Sequence, residues 1–512
     1  IMKVPSSSST HRRASVSRLR PLGRHRTRTF APARVAAVAV PAGSIPASGD
    51  SRSGPAVRPL LDVIAGASVA CVCIPQSIAY AALAGLGPLP GLHASVAAAL
   101  PSAALGSSRY LQVGVMSMGA LLTGSALSGL DLVAGSAAHA GAAALLAVMV
   151  GVVRLGLAYM KQGSVLTSRI PQSVMDGFTL ACVWAVLMTQ LGTMTGCAAT
   201  AAAAVGAKAH IMAQAAWVMA HPVSWHVGSL AVTMLTVATL IGGRRVSSLF
   251  PGAVVACVGG ALATGLGLPT GATVGQMSIG LPTLATLPWH LVPSLVPAAV
   301  AIAVCCFAEG AAIAQRFSSQ DGEVWDPDRE LLASGVAGVF AGMLGGMAVS
   351  GAISRTSLAK AAGATSRIAL MTTGLVCFAF CLLPAAGAWL GLLPKAALGG
   401  LVACAVLPLL QPSEVLMPIA LSRDEETASA IKCALRAAAV GWATVAATLY
   451  CAPRLELGLV AGLCVHVAVQ RLIPESVEEP CPIPEETCPS FYCDVNWESG
   501  GDEDGQKSLA AN

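Results

Sequence analysis

The chain has 512 residues, of which 55% are hydrophobic and 11% charged, with a mean hydropathy of +0.71. An ordinary soluble domain carries roughly 25% charged residues, so this composition excludes a disordered chain, a collagen-like fibre, a disulfide scaffold and any string of soluble domains. The net charge of +5 arises at the ends and is no argument for nucleic acid: residues 1–58 hold 11 of the 30 bases and one acid, Asp50, whereas residues 474–512 hold 10 of the 25 acids and one base, Lys507.

Residues 1–58 read as a basic, Ser/Arg-rich, disordered tail. No continuous apolar core lies beside the basic run, so it is not a secretory signal peptide. Acid-poor and rich in Arg, Ser and Ala, it has the composition of an organelle transit peptide, which would place the protein in a plastid or other organelle membrane. A polybasic segment resting on an anionic leaflet, as at the plasma membrane, would use the same charges. Both readings stay open.

Residues 59–473 read as a polytopic membrane domain. A helix crossing the hydrocarbon core needs about 20 mostly apolar residues. Breaking the chain at polar, Pro and Gly clusters leaves segments near 59–87, 89–106, 113–130, 138–159, 171–195, 226–243 and 249–267. A second set follows near 291–316, 329–346, 352–363, 366–385, 396–411, 428–450 and 455–472. The expected fold is therefore all-α, with fourteen segments in two sets of seven. The stretches 196–225 and 268–290 should be irregular or interfacial. Residues 474–512 form an acidic, Pro-rich, disordered tail. Its three cysteines, Cys481, Cys488 and Cys493, lack zinc-ligand spacing, and the cysteines of the apolar middle act as small hydrophobes.

The third segment of each set is a misfit. Tyr110–Val115 reads as an extended run followed by a short helix from Met116, and Met347–Gly351 reads the same way, followed by a short helix from Ala352. Interrupted segments at matching positions of two halves point to the binding site of an inverted-repeat transporter. Two half-helix N-termini facing one another present unpaired N–H groups and positive dipole ends, which suit an anion. Val115 and Met116, at the junction of run and helix, belong to this candidate site.

Three further positions stand out. Gln76 follows Pro75 in mid-span, where Pro removes a helical hydrogen bond; Gln76 and Tyr80 share one helix face and either line a cavity or form an interhelical hydrogen-bond pair. Glu309 lies deep in an apolar segment, where a carboxylate is costly and is a functional hypothesis by default; it is a candidate to carry a coupled proton, or else it pairs with a base. Arg355, beside Ser354, sits in the first turn of the second half-helix, against the dipole, so an anion must compensate it: a substrate, or Glu309 as a plain ion pair. Lys360, one turn on, is free to snorkel to the interface. Asp176 and Glu330 fall at span starts, where acids suit the dipole. No metal spacing, nucleophile elbow or phosphate loop is found, so neither an enzyme nor a cofactor is expected.

The stretch from Ala65 through IPQSIAYAALAGLGPLPGLHAS to GSSRYLQVGVMSMGALL resembles the first signature of the SulP sulfate permease family. CFAEGAAIAQRF (306–317) and DPDRELLASGVAGVFAGMLGGMAVSGAISRTSLAKAAGATS (326–366) resemble its eighth to tenth spans, and LPKAALGGLV with LELGLVAGLCVHV its closing spans. The resemblance implies two inverted sets of seven spans, a core domain moving against a gate domain, and an anion held between the third and tenth spans. It places Gln76 and Tyr80 among the residues lining that site, matches Ser354 and Arg355 to the family's Ser-Arg pair, and matches Glu309 to the acid tied to cation coupling. A Glu there is similar to plant-type proton-coupled sulfate carriers, whereas sodium-coupled bicarbonate relatives carry Asp.

Two departures stand beside the likeness. Gly114–Val115 replaces the family's common Gly-Pro at the third-span bend, and the 39 residues after the last span are too short for its STAS domain. The expected function is secondary transport of a small inorganic anion, sulfate with a proton, by alternating access. A bicarbonate, chloride or molybdate carrier, or an uncoupled anion channel, would ask for similar donors. The lipid bilayer is an expected partner, and a homodimer is compatible with this reading.

Overall fold

The computed structural model describes residues 57–472 apart from 131, 170, 207–208, 248–249, 276–279, 408–409, 411–427 and 453. The basic tail up to residue 56 and the acidic tail with its three cysteines lie outside the described residues. In chain order the first half contains α1 (Val57–Leu83), α2 (Pro88–Leu105), β1 (Val113–Gly114), α3 (Ser117–Ser128), α4 (Ala137–Tyr159), α5 (Gly163–Arg169), α6 (Gln172–Thr195), α7 (Ala198–Val205), α8 (Ile211–Ala220), α9 (Val227–Val246) and α10 (Gly252–Gly265). The second contains α11 (Val292–Gln320), α12 (Pro327–Met343), β2 (Ser350–Gly351), α13 (Ile353–Ala361), α14 (Ile368–Cys381), α15 (Pro384–Gly391), α16 (Lys395–Val406), α17 (Ala428–Cys451) and α18 (Leu455–Leu472).

Every segment expected from the sequence holds a helix. Among the described residues, four stretches, Pro59–Leu83, Ala137–Tyr159, Ser173–Thr195 and Trp289–Gln320, are individually long and apolar enough to cross a bilayer. The short helices α5, α7, α8 and α15 were not expected. The last of these falls inside the connection after α14, and α7 and α8 occupy part of 196–225. Their sequences, AATAAAAV and IMAQAAWVMA, explain this: Ala-rich runs have high helix propensity, even where a loop was expected. Asp176 lies in the second turn of α6, not its first, because that helix already begins at Gln172 behind Pro171.

The two misfit segments meet. β1 and β2 pair antiparallel, with Val113 opposite Gly351 and Gly114 opposite Ser350. The ribbon is extended by Ala352 N–H donating to the Gln112 carbonyl at 3.1 Å. The half-helices α3 and α13 leave this ribbon with Met116 and Ala352 as N-caps, neither of which supplies a side-chain capping bond. Their first N–H groups are thus left for another acceptor.

Helices α1, α2, α4, α12 and α14 pack against one another, and α6, α9, α16, α17 and α18 form a second packed set, with α3 and α11 touching both. The most extensive packing in the first set is between α4 and α12, where small residues let backbones come near, as lipid-embedded helices favour. A Cβ added at Gly151 would lie 2.5 Å from the Val339 nitrogen, and one at Gly342 would lie 2.4 Å from the Ala144 carbonyl oxygen.

Buried carboxylates tie the helix ends of the first set together. Glu330, in the first turn of α12 as expected, also accepts the N–H groups of Ser107 and Ser108, each at 2.9 Å. Asp62, 1% exposed near the start of α1, accepts from the Ser366 N–H at 3.0 Å, the Thr365 N–H at 2.5 Å and both hydroxyls, closing the loop that leads into α14. Asp62→Ala would strand these half-buried donors, each bond to a charged group contributing about 1.5–3 kcal/mol. A loss of about 3 kcal/mol in unfolding free energy is expected, read as a lowered midpoint in thermal unfolding of the detergent-solubilised protein.

Candidate functional site

The site is built where α1, α11 and the two half-helices converge on the β1–β2 ribbon. Gly310 lets α11 lie against β2, since a Cβ there would come 3.0 Å from the Ser350 hydroxyl. That hydroxyl donates to the Cys306 carbonyl at 2.5 Å, fixing β2 to α11 one turn before Glu309. In α1, Gln76 and Tyr80 are each 5% exposed. The Gln76 Oε1 has no hydrogen-bond partner, and Tyr80 stands within electrostatic reach of Arg355, Glu309 and Cys73. Among the described residues, the interhelical hydrogen-bond pair that would have made Gln76 merely structural is not formed at its oxygen.

Arg355 is 1% exposed. Its side chain runs back along the ribbon: Nη1 donates to the Cys73 Sγ at 3.5 Å, while Nε and Nη2 have no partner. The guanidinium lies against Gly114, where a Cβ would stand 3.2 Å from both terminal nitrogens and 3.1 Å from the Ser95 hydroxyl. A residue without a side chain at this bend therefore gives Arg355 its place. From Cys73 the polar row continues to Ser77, whose hydroxyl meets that of Ser95 at 2.7 Å. Val115 and Met116 are buried where β1 passes into α3, and Ser354 is half-buried beside Arg355.

Among the described residues no ion pair joins Arg355 to Glu309. The Glu309 Oε2 is buried without a hydrogen-bond partner. The plain ion pair, one of the two readings of these charges, is thus not made, and each keeps unsatisfied atoms that a buried charge normally fills. Glu309 lines a small pocket bounded by Ser117 and Met118 at the start of α3, by Thr179 and Cys182 of α6, and by Val406 at the end of α16. Of the residues singled out from sequence, Glu309 alone lines this pocket; Gln76, Tyr80, Val115, Met116, Ser354 and Arg355 lie outside its lining.

Lys360 is held in place by its neighbours. Its ammonium donates to Asp321 at 2.8 Å and to Gln320 at 3.3 Å, with the Tyr110 and Phe317 rings at 5.1 and 5.5 Å, so it binds the end of α13 to the end of α11. In the loop after α11, burial works to raise the Asp321 pKa, but bonds from Lys360 and Tyr110 outweigh it and hold the carboxyl below its ordinary range.

Sequence reasoning missed Arg154, in α4, which is fully buried at 0% exposure. Its Nη1 donates to the Val349 carbonyl at 2.8 Å and its Nε to the Ala303 carbonyl at 3.2 Å. The signal was present: Arg154 is a lone base in an otherwise apolar span, the same feature that marks Glu309.

Residues 60–431 match the Sulfate permease family. A probable sulfate transporter of Mycobacterium tuberculosis is 33% identical over 360 residues, covering 69% of this chain and 62% of that protein. Sulfate transporter 4.1, chloroplastic, of Arabidopsis thaliana is 27% identical over 322 residues, covering 62% of this chain and 46% of that one. The chain thus spans less than two thirds of the length of these relatives. The fold is similar to that of the murine solute carrier 26 family member A9 anion transporter in its inward-facing state, with a TM-score of 0.69 at 20% identity, covering 81% of this chain and 68% of that chain. It is also similar to the transmembrane domain of a cyanobacterial bicarbonate transporter, BicA, with a TM-score of 0.64 at 16% identity, covering 79% of this chain and 98% of that one. With most of its length matched and several long apolar helices, the chain is a multi-pass integral membrane protein that belongs to the sulfate permease family.

Proposed function

We propose that the protein is a secondary transporter of small inorganic oxyanions, sulfate foremost, working by alternating access with a proton as the coupled ion. The observation that carries this reading is the meeting of two uncapped half-helix N-termini at a ribbon backed by Arg355, whose Nε and Nη2 have no protein partner. Half-helix ends and an unpaired guanidinium attract an anion and give a cation no counter-charge. The names of the sulfate-transporting relatives agree with the choice of sulfate.

In this reading Gln76, Tyr80, Ser354 and the backbone at Val115 and Met116 surround the anion, Arg355 supplies charge, and Glu309 carries the proton. Sodium in the proton's place, and bicarbonate, chloride or molybdate in the place of sulfate, are separated by experiment. Titration calorimetry on the detergent-purified full chain should show sulfate binding that molybdate weakens by competition and that chloride and bicarbonate displace only at higher concentration. Bicarbonate or chloride binding without sulfate binding would replace the substrate assignment.

The basic tail is proposed as an address or lipid contact, since it has no apolar segment able to pack with the spans. Deleting residues 1–56 should leave anion transport in proteoliposomes unchanged and alter the membrane to which the protein goes in a cell. Lost transport by correctly inserted, truncated protein would overturn that.

A further inference from the structure

We propose that Arg154 is a second buried positive charge of the anion site and sets its preference for divalent over monovalent anions. The inference rests on the anion-site reading given above and deepens it. Arg154 enters from α4, a helix that contributes no residue to the half-helix ends. Its guanidinium is fully buried, and its Nη2 has no hydrogen-bond partner. The two bonds it does make go to backbone carbonyls, Val349 and Ala303. Carbonyls offer dipoles and no net charge, and among the described residues no carboxylate lies within ion-pair distance. A guanidinium remains charged at any physiological pH. A full positive charge is therefore held inside the protein uncompensated.

Its position links that charge to the site. Val349 directly precedes Ser350 of β2, and Ser350 is paired with Gly114, the residue on which the Arg355 guanidinium rests. The two arginines thus address adjoining residues across the same two-stranded ribbon, Arg355 on β1 and Arg154 on the approach to β2. The second carbonyl it holds, Ala303, is on α11, the helix of Glu309. Arg154 binds the backbone of two elements that frame the site and adds its charge to theirs. A purely mechanical tie between α4, α11 and β2 needs only donors, which a neutral amide provides without the cost of burying an ion.

Coulomb energy is linear in the charge of the ligand. Removing one fixed charge must therefore weaken a divalent anion by the square of the factor by which it weakens a monovalent one in the same place. For a charge near but not touching the ligand, a factor of about 3 for a monovalent anion becomes about 10 for sulfate.

The test measures dissociation constants of sulfate and nitrate for the full-chain protein in detergent, alongside thermal unfolding. Arg154→Met should weaken sulfate about 10-fold and nitrate about 3-fold, and Arg154→Lys should keep the wild-type sulfate-to-nitrate ratio whatever happens to stability. Should Arg154→Met not fold, Arg154→Gln, whose amide can still donate to one carbonyl, makes the same comparison. A sulfate-to-nitrate ratio unchanged in the neutral variant, or lost equally in the Lys variant, would leave Arg154 a structural tie only. Failure of the wild type to bind sulfate would instead overturn the anion-site reading.

Discussion

Arg355→Ala is expected to abolish measurable sulfate binding. A divalent oxyanion entering the membrane gives up most of its hydration and must find charge and donors in exchange. The two half-helix N-termini offer roughly half a positive charge each, which offsets about one unit of the anion. Arg355, 1% exposed and with two of its three nitrogens unpaired, supplies the next. By analogy with truncating one member of a buried charge pair, the cost is about 2–5 kcal/mol, a factor of at least tens in affinity. Arg355→Lys should restore part of this, because the point charge returns while a single ammonium cannot both reach the Cys73 thiol and present a forked donor. Gly114→Ala gives an independent check. The added methyl would stand 3.2 Å from both terminal guanidinium nitrogens, so Arg355 must shift and sulfate affinity should fall in the same direction by a smaller factor. Titration calorimetry on the wild type and the three variants reads all of these. Unchanged affinity in Arg355→Ala would assign the arginine to the packing of β1 against α1.

Glu309→Gln is expected to abolish proton-driven accumulation while leaving sulfate exchange within a few-fold of wild type. The substitution keeps shape and hydrogen-bonding capacity and removes only the titrating group. Glu309 has no ion-pair partner among the described residues, and its Oε2 is unsatisfied. The variant therefore breaks no salt bridge and strands no opposite charge, the usual reason a buried carboxylate cannot be neutralised. Accumulation of sulfate by this variant in response to a pH gradient would remove Glu309 from the coupling step.

The architecture was legible because membranes constrain chains so strongly. Apolar runs bounded by Gly, Pro and polar clusters located a helix in each expected segment, and the two runs too short to span, at Tyr110–Val115 and Met347–Gly351, marked the extended stretches, although only the structure shows that β1 and β2 pair. What sequence left out is what packing decides. Nothing in linear order reveals that Arg355 turns back to rest on Gly114, or that Lys360 is held by Asp321 and two aromatic rings. The walls supplied by Thr179 and Cys182 come from α6, whose residues show no pattern distinct from an ordinary span. Arg154 is a different case. Its lone charge was visible in the sequence, but without knowledge of what surrounded it there was no way to see that its partners are carbonyls.

The most direct test is uptake of radiolabelled sulfate into proteoliposomes containing the 512-residue chain, with the external medium made more acidic than the lumen. Binding at the half-helix ends combined with a proton on Glu309 predicts accumulation above equilibrium that collapses with a protonophore and is insensitive to replacing sodium with choline. Sulfate entry that only equilibrates, unaffected by the pH gradient, would contradict the account.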